Sequence, residues 1–185
     1  MNKISLYTLL LVLCFCYACK KEQNPFEISK QHVGLLTDST QVKDLKLAFP
    51  NDSIVKRIAG DEFIGNKNNI EILDKAGKQL LILEPAEALD STSVIETVQI
   101  IDERFKTNKT ITTLSTFKEI ADNYKISRID NLINSIVVTV NNLNASFTID
   151  KKELPSNLRV DMDLQIEATH IPDNAKIKYF FINWH

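Results

Sequence analysis

Three histidines, three groups of neighbouring carboxylates and a short set of serines are the side chains of this chain's body with the means to do chemistry. His32, His170 and His185 offer imidazole for proton transfer or metal ligation, but no two stand at the i, i+4 helical spacing of a zinc-binding pair. No serine occupies a GxSxG turn. Gly34, Gly60, Gly65 and Gly77 build neither of the glycine patterns that cradle a phosphate. His170 falls between Thr169 and Ile171 in a stretch that reads as a strand, where a structural or solvent-facing role outweighs a ligand contact. Asp61-Glu62, Asp102-Glu103 and Asp161-Met162-Asp163 have the chemistry of an acid and base pair or a calcium ligand set. None has the ordered six to eight oxygens of a calcium loop. On a strand, Asp161 and Asp163 would share one face, as charges on a solvated edge do. The expectation is no catalytic residue, no metal site and no cofactor.

The cysteines are more informative. Cys14, Cys16 and Cys19 all lie at the N-terminus, so the body has no disulfide framework, no thiolate metal site and no cysteine nucleophile. Lys3 opens a positive start, and Ile4 to Ala18 is a nearly uninterrupted apolar run of 15 residues. That is shorter than the roughly 20 needed to span a bilayer and is of signal-peptide length. Lipoprotein processing requires a small residue before a cysteine that has been thioether-linked to diacylglycerol. Leu13 precedes Cys14 and Phe15 precedes Cys16, both too bulky, whereas Ala18 precedes Cys19. The stretch Cys16-Tyr17-Ala18-Cys19 resembles the lipobox of bacterial lipoproteins, with Cys16 in place of the usual leucine and Tyr17 in place of a small residue. Residues 1–18 are thus expected to be a lipoprotein signal peptide, with Cys19 the lipidated first residue of the mature chain. An ordinary secretory signal or an uncleaved helix is the competing reading. Residues 19–25, Cys19 to Pro25, form a short polar tether, and several acyl chains on Cys19 would anchor the chain durably to a membrane.

Serine follows aspartate in three triplets: Asp38-Ser39-Thr40, Asp52-Ser53-Ile54 and Asp90-Ser91-Thr92. They resemble the O-glycosylation acceptor used by Bacteroidetes-type bacteria, which makes Ser39, Ser53 and Ser91 possible O-glycosylation sites; the same triplets also serve as turns or helix caps.

These side chains must be positioned by a domain of ordinary composition, residues 26–185, in a chain with 44% hydrophobic and 25% charged residues. After cleavage the balance is 21 basic against 24 acidic, or −3, too weak a bias for a nucleic-acid surface. Val42, Leu45 and Phe49 follow the i, i+3, i+7 pattern of a helix face, as do Phe117, Ile120 and Tyr124 about 75 residues later. Ser39-Thr40 and Ser115-Thr116 suit their N-caps, Thr116 with Glu119 makes a capping box, and Pro50 stops the first helix. Each half carries a hairpin signal: Ile70 to Leu83 around Asp74-Gly77, and Ile136 to Ile149 around Asn141-Asn142. Ile95 to Asp102 matches Ile166 to Asp173 in alternation. The reading is a strand-rich α+β domain, a tandem duplication of a helix-plus-antiparallel-strands unit with repeats 26–102 and 103–185. Glu84 to Ser93 is its most linker-like stretch. Ile177, Tyr179 and Phe181 alternate with Phe180 and Ile182 in an expected final strand, central and covered on both faces.

Arg104-Phe105-Lys106-Thr107, Ser115 to Ile120, Phe147 to Pro155, Ile171 to Tyr179 and Val33 to Thr37 together resemble a group of uncharacterised lipoproteins from Bacteroidetes-type bacteria. The resemblance implies a Gram-negative cell envelope, with the outer membrane as the expected location and its face open. It supplies no activity. The expected function is a membrane-anchored, non-enzymatic role in binding or envelope assembly and maintenance, with an envelope protein or glycan as partner and no nucleic acid. The alternative is a hydrolase or glycan-processing enzyme built from dispersed carboxylates. A third is a purely structural or immunity-like stress lipoprotein, needed only when the envelope is challenged. His32 to Thr37, a glycine among apolar residues in a loop-like stretch, is the segment most suited to a functional surface; a packing loop is the competing reading.

Overall fold

The computed structural model describes residues 23–59 and 67–184. Cys14, Cys16, Cys19, Asp61-Glu62 and His185 lie outside the described residues.

Three two-residue strands open the body, β1 (Glu27–Ile28), β2 (His32–Val33) and β3 (Leu36–Thr37). A 3-10 turn at Val42–Asp44 leads into the short helix α1 (Leu45–Ala48). Four longer strands follow as an antiparallel meander, β4 (Ser53–Ala59), β5 (Lys67–Leu73), β6 (Gln79–Pro85) and β7 (Ile95–Ile100). After β8 (Lys106–Thr107) comes α2 (Phe117–Asn123) and a second meander, β9 (Arg128–Asn131), β10 (Ser135–Val140), β11 (Ala145–Asp150) and β12 (Ile177–Asn183). The fold is strand-rich α+β.

The two meanders join through their last strands, giving one continuous eight-stranded sheet of order β4-β5-β6-β7-β12-β11-β10-β9. A small sheet of order β3-β2-β1-β8 lies apart from it, with β1 and β8 parallel. Each half is therefore a short helix followed by a four-stranded meander. The halves share this topology; descent from a duplicated unit is not shown. The expected match of Ile95 to Asp102 with Ile166 to Asp173 is corrected, because the partner of β7 in the second meander is β12. Ile166 to Asp173 is no strand: it contains a 3-10 turn at Ala168–His170, pinned by buried Ile166 and Ile171, and Pro172 could not have donated to a ladder.

Alternation along the strands sends one set of side chains inward. Ile70, Ile72, Leu81, Leu83, Val98, Ile100, Phe147, Phe180 and Ile182 are buried on one face of the large sheet. Ile28, Val33 and Leu36 of the small sheet belong to the same core, with Leu45 and Phe49 from α1 and its end, and Phe117 and Ile120 from α2. Phe147 and Phe180 meet at ring centroids 4.6 Å apart. Among the described residues this core is assembled from residues between Ile28 and Trp184.

Two further expectations are revised. β12 is central, paired with β7 and β11, but is covered on one face only: Phe180 and Ile182 are buried, while Tyr179 is 42% exposed and Phe181 half-buried. An antiparallel sheet keeps one face to solvent when all its apolar partners lie on the other. Glu84 to Ser93 is not a linker; it closes the β6–β7 hairpin, with Val42 N donating to Ser93 O at 3.0 Å and Glu87 N to Ser93 Oγ at 2.8 Å.

The first helix is capped differently from expectation. Its turn begins after Gln41 without a side-chain cap, and Thr40 Oγ1 instead accepts from Thr37 N at 2.9 Å. At α2 the capping box is present, Glu119 Oε2 accepting from Thr116 N at 2.7 Å. Glu119→Ala should cost about 1 kcal/mol, lowering the thermal midpoint by roughly 2–4 °C; calorimetry of the variant against the parent chain checks this.

Candidate functional site

Because Ile28, Val33 and Leu36 turn into the core, the same alternation sends Glu27, His32 and Thr37 to the outer face of the small sheet. Gly34, at φ +57°, makes the β2–β3 turn. A Cβ there would lie 2.3 Å from the Pro25 carbonyl oxygen, so the absent side chain lets the incoming chain pack directly on the turn. Gln23 Nε2 then donates to Gly34 O at 2.6 Å. The result is an open polar hollow of about 770 Å³ lined by Gln23, Asn24, Glu27, Gln31, His32, Thr37, Asp38 and Ser39.

Internal hydrogen bonds fix its walls. Ser29 Oγ accepts from the backbone N–H groups of Gln31 and His32 at 3.3 and 3.2 Å and also pairs with His32 Nδ1. The Ser–His contact thus locks a turn, as an i, i+3 spacing suggests, and sets the imidazole on the wall. On the opposite side, Thr37 Oγ1 lies 3.1 Å from both Ser39 Oγ and Thr40 Oγ1. Amides, hydroxyls, an imidazole and two carboxylates together make a surface suited to a hydroxyl-rich or peptide-like ligand.

The stretch His32 to Thr37 therefore lies at this hollow, with His32 and Thr37 lining it. Gln23, Glu27, Ser29 and Gln31 carry no motif that sequence reasoning could single out, and only the Ser29–His32 spacing hints at a turn; Asp38 and Ser39 are legible as an Asp-Ser-Thr triplet, but not as part of a hollow. Ser39 and Ser91 sit in exposed turns, and Ser53, also exposed, opens the edge strand β4. Asp90 Oδ1 accepts from Thr92 N at 2.7 Å, and this and the Thr92 hydroxyl hold its carboxyl below the usual range.

The other candidates disperse. His170 belongs to the 3-10 turn, its Nδ1 accepting from Glu167 N at 3.1 Å. Asp161 and Asp163 share no strand; Asp161 Oδ1 accepts from Asp163 N at 2.9 Å within a loop, because the alternation there is not backed by a pairing partner. Asp102 is 1% exposed. Its carboxylate accepts from Arg104 N and Nε at 2.9 and 2.8 Å and pairs with Lys78 Nζ at 2.8 Å. Burial alone would push its pKa up, but the hydrogen bonds from Arg104 and Lys78 outweigh that and hold the carboxyl well below the usual range. Arg104 also lies 4.7 Å over the Phe26 ring, so this network joins the end of β7 to the start of the body. Among the described residues no group of three His, Cys, Asp or Glu is placed to hold a metal ion, and no helix is long and apolar enough to cross a membrane.

No protein family matches the chain, and no curated protein sequence does. A solved structure does match in fold: that of the uncharacterized protein YfeY from Escherichia coli, with a TM-score of 0.57 and 14% identity over 85% of this chain and 99% of that one.

Proposed function

We propose that the chain is a lipid-anchored protein of the bacterial cell envelope whose domain binds a polar envelope ligand, a glycan or a peptide, in the hollow on the outer face of the small sheet. The observation that carries this is the hollow itself. It is the polar depression on which Gln23, four residues after Cys19, is fastened to Gly34, so a ligand held there would stay close to the membrane. Its hydroxyls bond to one another and its imidazole to a turn serine, an arrangement of fixed donors and acceptors that suits binding.

Two measurements test the parts separately. Labelled palmitate should enter the parent chain and be lost on Cys19→Ala; continued labelling in the variant would defeat the anchor. Purified chain from residue 19 should show binding of soluble cell-wall fragments by NMR shift perturbation centred on residues 27–39, weakened about tenfold by Thr37→Ala together with His32→Ala. Turnover of those fragments, abolished by Glu27→Gln or Asp38→Asn, would instead establish the hydrolase alternative, since both carboxylates line the hollow.

A further inference from the structure

Strand ends and turns from both meanders of the large sheet lie on one rim, because register places Ser53 beside Leu73, Ile100 beside Phe180, Ile149 beside Ile177 and Ser135 beside Asp150. The body begins at this rim too: Pro25 and Leu35 line a hollow with Asp74 and Arg104. Here exposed apolar side chains collect. Leu132 and Ile133 in the β9–β10 turn are 46% and 74% exposed, and Val160 and Met162 in the loop before β12 are 86% and 42% exposed. They are held together, since Asn131 Nδ2 donates to the carbonyls of Asp161, Met162 and Leu164 at 3.0, 3.3 and 2.9 Å.

Cations gather beside Ile133 and next to Val160, while Met162 stands between the exposed Asp161 and Asp163. Ile133 lines a shallow hollow of about 420 Å³ with Lys151, Lys152, Arg159 and Lys178 against one carboxylate, Asp150. Lys178 approaches that carboxylate at 3.4 Å. Arg159 donates to the carbonyls of Leu154 and Lys152 at 2.8 and 2.9 Å, which spend no negative charge on it. Asp150 Oδ1 also accepts from Lys152 N at 2.9 Å, and the Lys152 and Lys178 charges help hold its carboxyl below the usual range, so these two lysines share one carboxylate. Of the nearby acids, Glu153 accepts from Lys176 N at 3.2 Å and Asp161 closes its own loop.

Exposed apolar tips set among lysine and arginine are the composition of a surface that rests on anionic headgroups, the tips entering the boundary and the cations meeting phosphate. We propose that this rim, through Ile133, Val160, Met162, Lys152, Arg159 and Lys178, docks the domain on an anionic phospholipid surface. The proposal deepens the anchored reading and shares its geometry. Cys19 is four residues from Gln23, which limits the separation to about 14 Å, so a lipid on Cys19 would hold the start of the body, and with it this rim, at the bilayer.

The test removes the lipid so that the two readings fail separately. The chain from residue 19 with Cys19→Ser is floated with vesicles of pure phosphatidylcholine and of phosphatidylcholine with phosphatidylglycerol. Expected is flotation with the anionic vesicles, reduced by added salt. Ile133→Glu with Val160→Glu should lower the bound fraction about tenfold, and Lys152→Glu should lower it further. Leu89→Glu, exposed on the opposite rim, should leave it unchanged. Thermal melts verify that these surface variants stay folded. Equal flotation with neutral vesicles, no flotation, an equal loss on Leu89→Glu, or self-association that the Ile133 and Val160 changes disperse would each overturn the docking surface. None of these touches palmitate labelling of the parent chain, which decides the anchor alone.

Discussion

Asp102→Ala is expected to destabilise the domain by about 2–3 kcal/mol, a fall of roughly 5–10 °C in thermal midpoint for a body of this size. The carboxylate side chain has no exposure, while its partners Lys78 and Arg104 are 59% and 46% exposed. Losing the acid therefore strands no buried cation, and the expected loss sits below the range for fully buried pairs. What disappears is the set of charge-assisted bonds that ties the turn after β7 to the β5–β6 turn and to Arg104. Lys78→Ala should do less, because Arg104 still holds the carboxylate. The pH dependence has a definite sign. The folded carboxyl titrates below its unfolded value of about 4, so the stabilisation is fully present above that pH and is lost as pH falls toward the depressed folded value. Urea melts of the parent and of Asp102→Asn should be furthest apart near pH 7 and converge as pH drops below about 4; a gap that widens in acid would contradict the assignment.

Gly34→Val should be at least as damaging, at about 3–4 kcal/mol. Placing a side chain at φ +57° costs about 1–2 kcal/mol. The added Cβ meets the Pro25 backbone carbonyl at 2.3 Å, a neighbour that moves only if the chain entering the body moves with it, which adds an overpacking penalty of about 1–3 kcal/mol. Gly77→Ala is the informative comparison. It has a φ of +81°, but nothing lies within 4 Å of where its Cβ would stand, so only the backbone contribution applies. Chemical denaturation should rank Gly34→Val well below Gly77→Ala in stability. Hydrogen exchange should also rise over residues 23–37 in the first variant alone, because Gln23 loses its seat on Gly34 O.

The elements legible in the sequence are those specified locally. Asp74 Oδ1 accepts from Ala76 N and Lys78 N, both at 2.9 Å, so the turn chemistry and the alternation on either side of it describe β5 and β6 before any tertiary contact forms. The same holds for β10 and β11, and for the buried faces of both helices. Legibility ends where a pairing partner decides. Ile166 to Asp173 alternates as convincingly as Ile95 to Ile100, yet only the latter finds neighbours on both sides. β1, β2, β3 and β8 are two residues each, too short for any period to appear. The polar hollow is legible at His32 to Thr37, through Gly34, and at the Asp38-Ser39-Thr40 triplet; Gln23 and Glu27 come to it by the folding of β1 to β3, and no motif spacing encodes that.

The palindromic strand order also has a consequence for how the chain folds. Six of the seven pairings in the large sheet join strands consecutive within one meander, while the seam joins Ile100 to Phe180, eighty residues apart. Loop closure penalises distant contacts before they are rewarded. The strands β4 to β7 and β9 to β11 therefore assemble early from their own hairpins, β12 joins β11 across the longer connection from Lys151 to Lys176, and the β7–β12 seam closes late. Until it closes, both half-sheets present an unpaired edge, so the interval between hairpin formation and seam closure is when the chain is most open to pairing with another copy of itself.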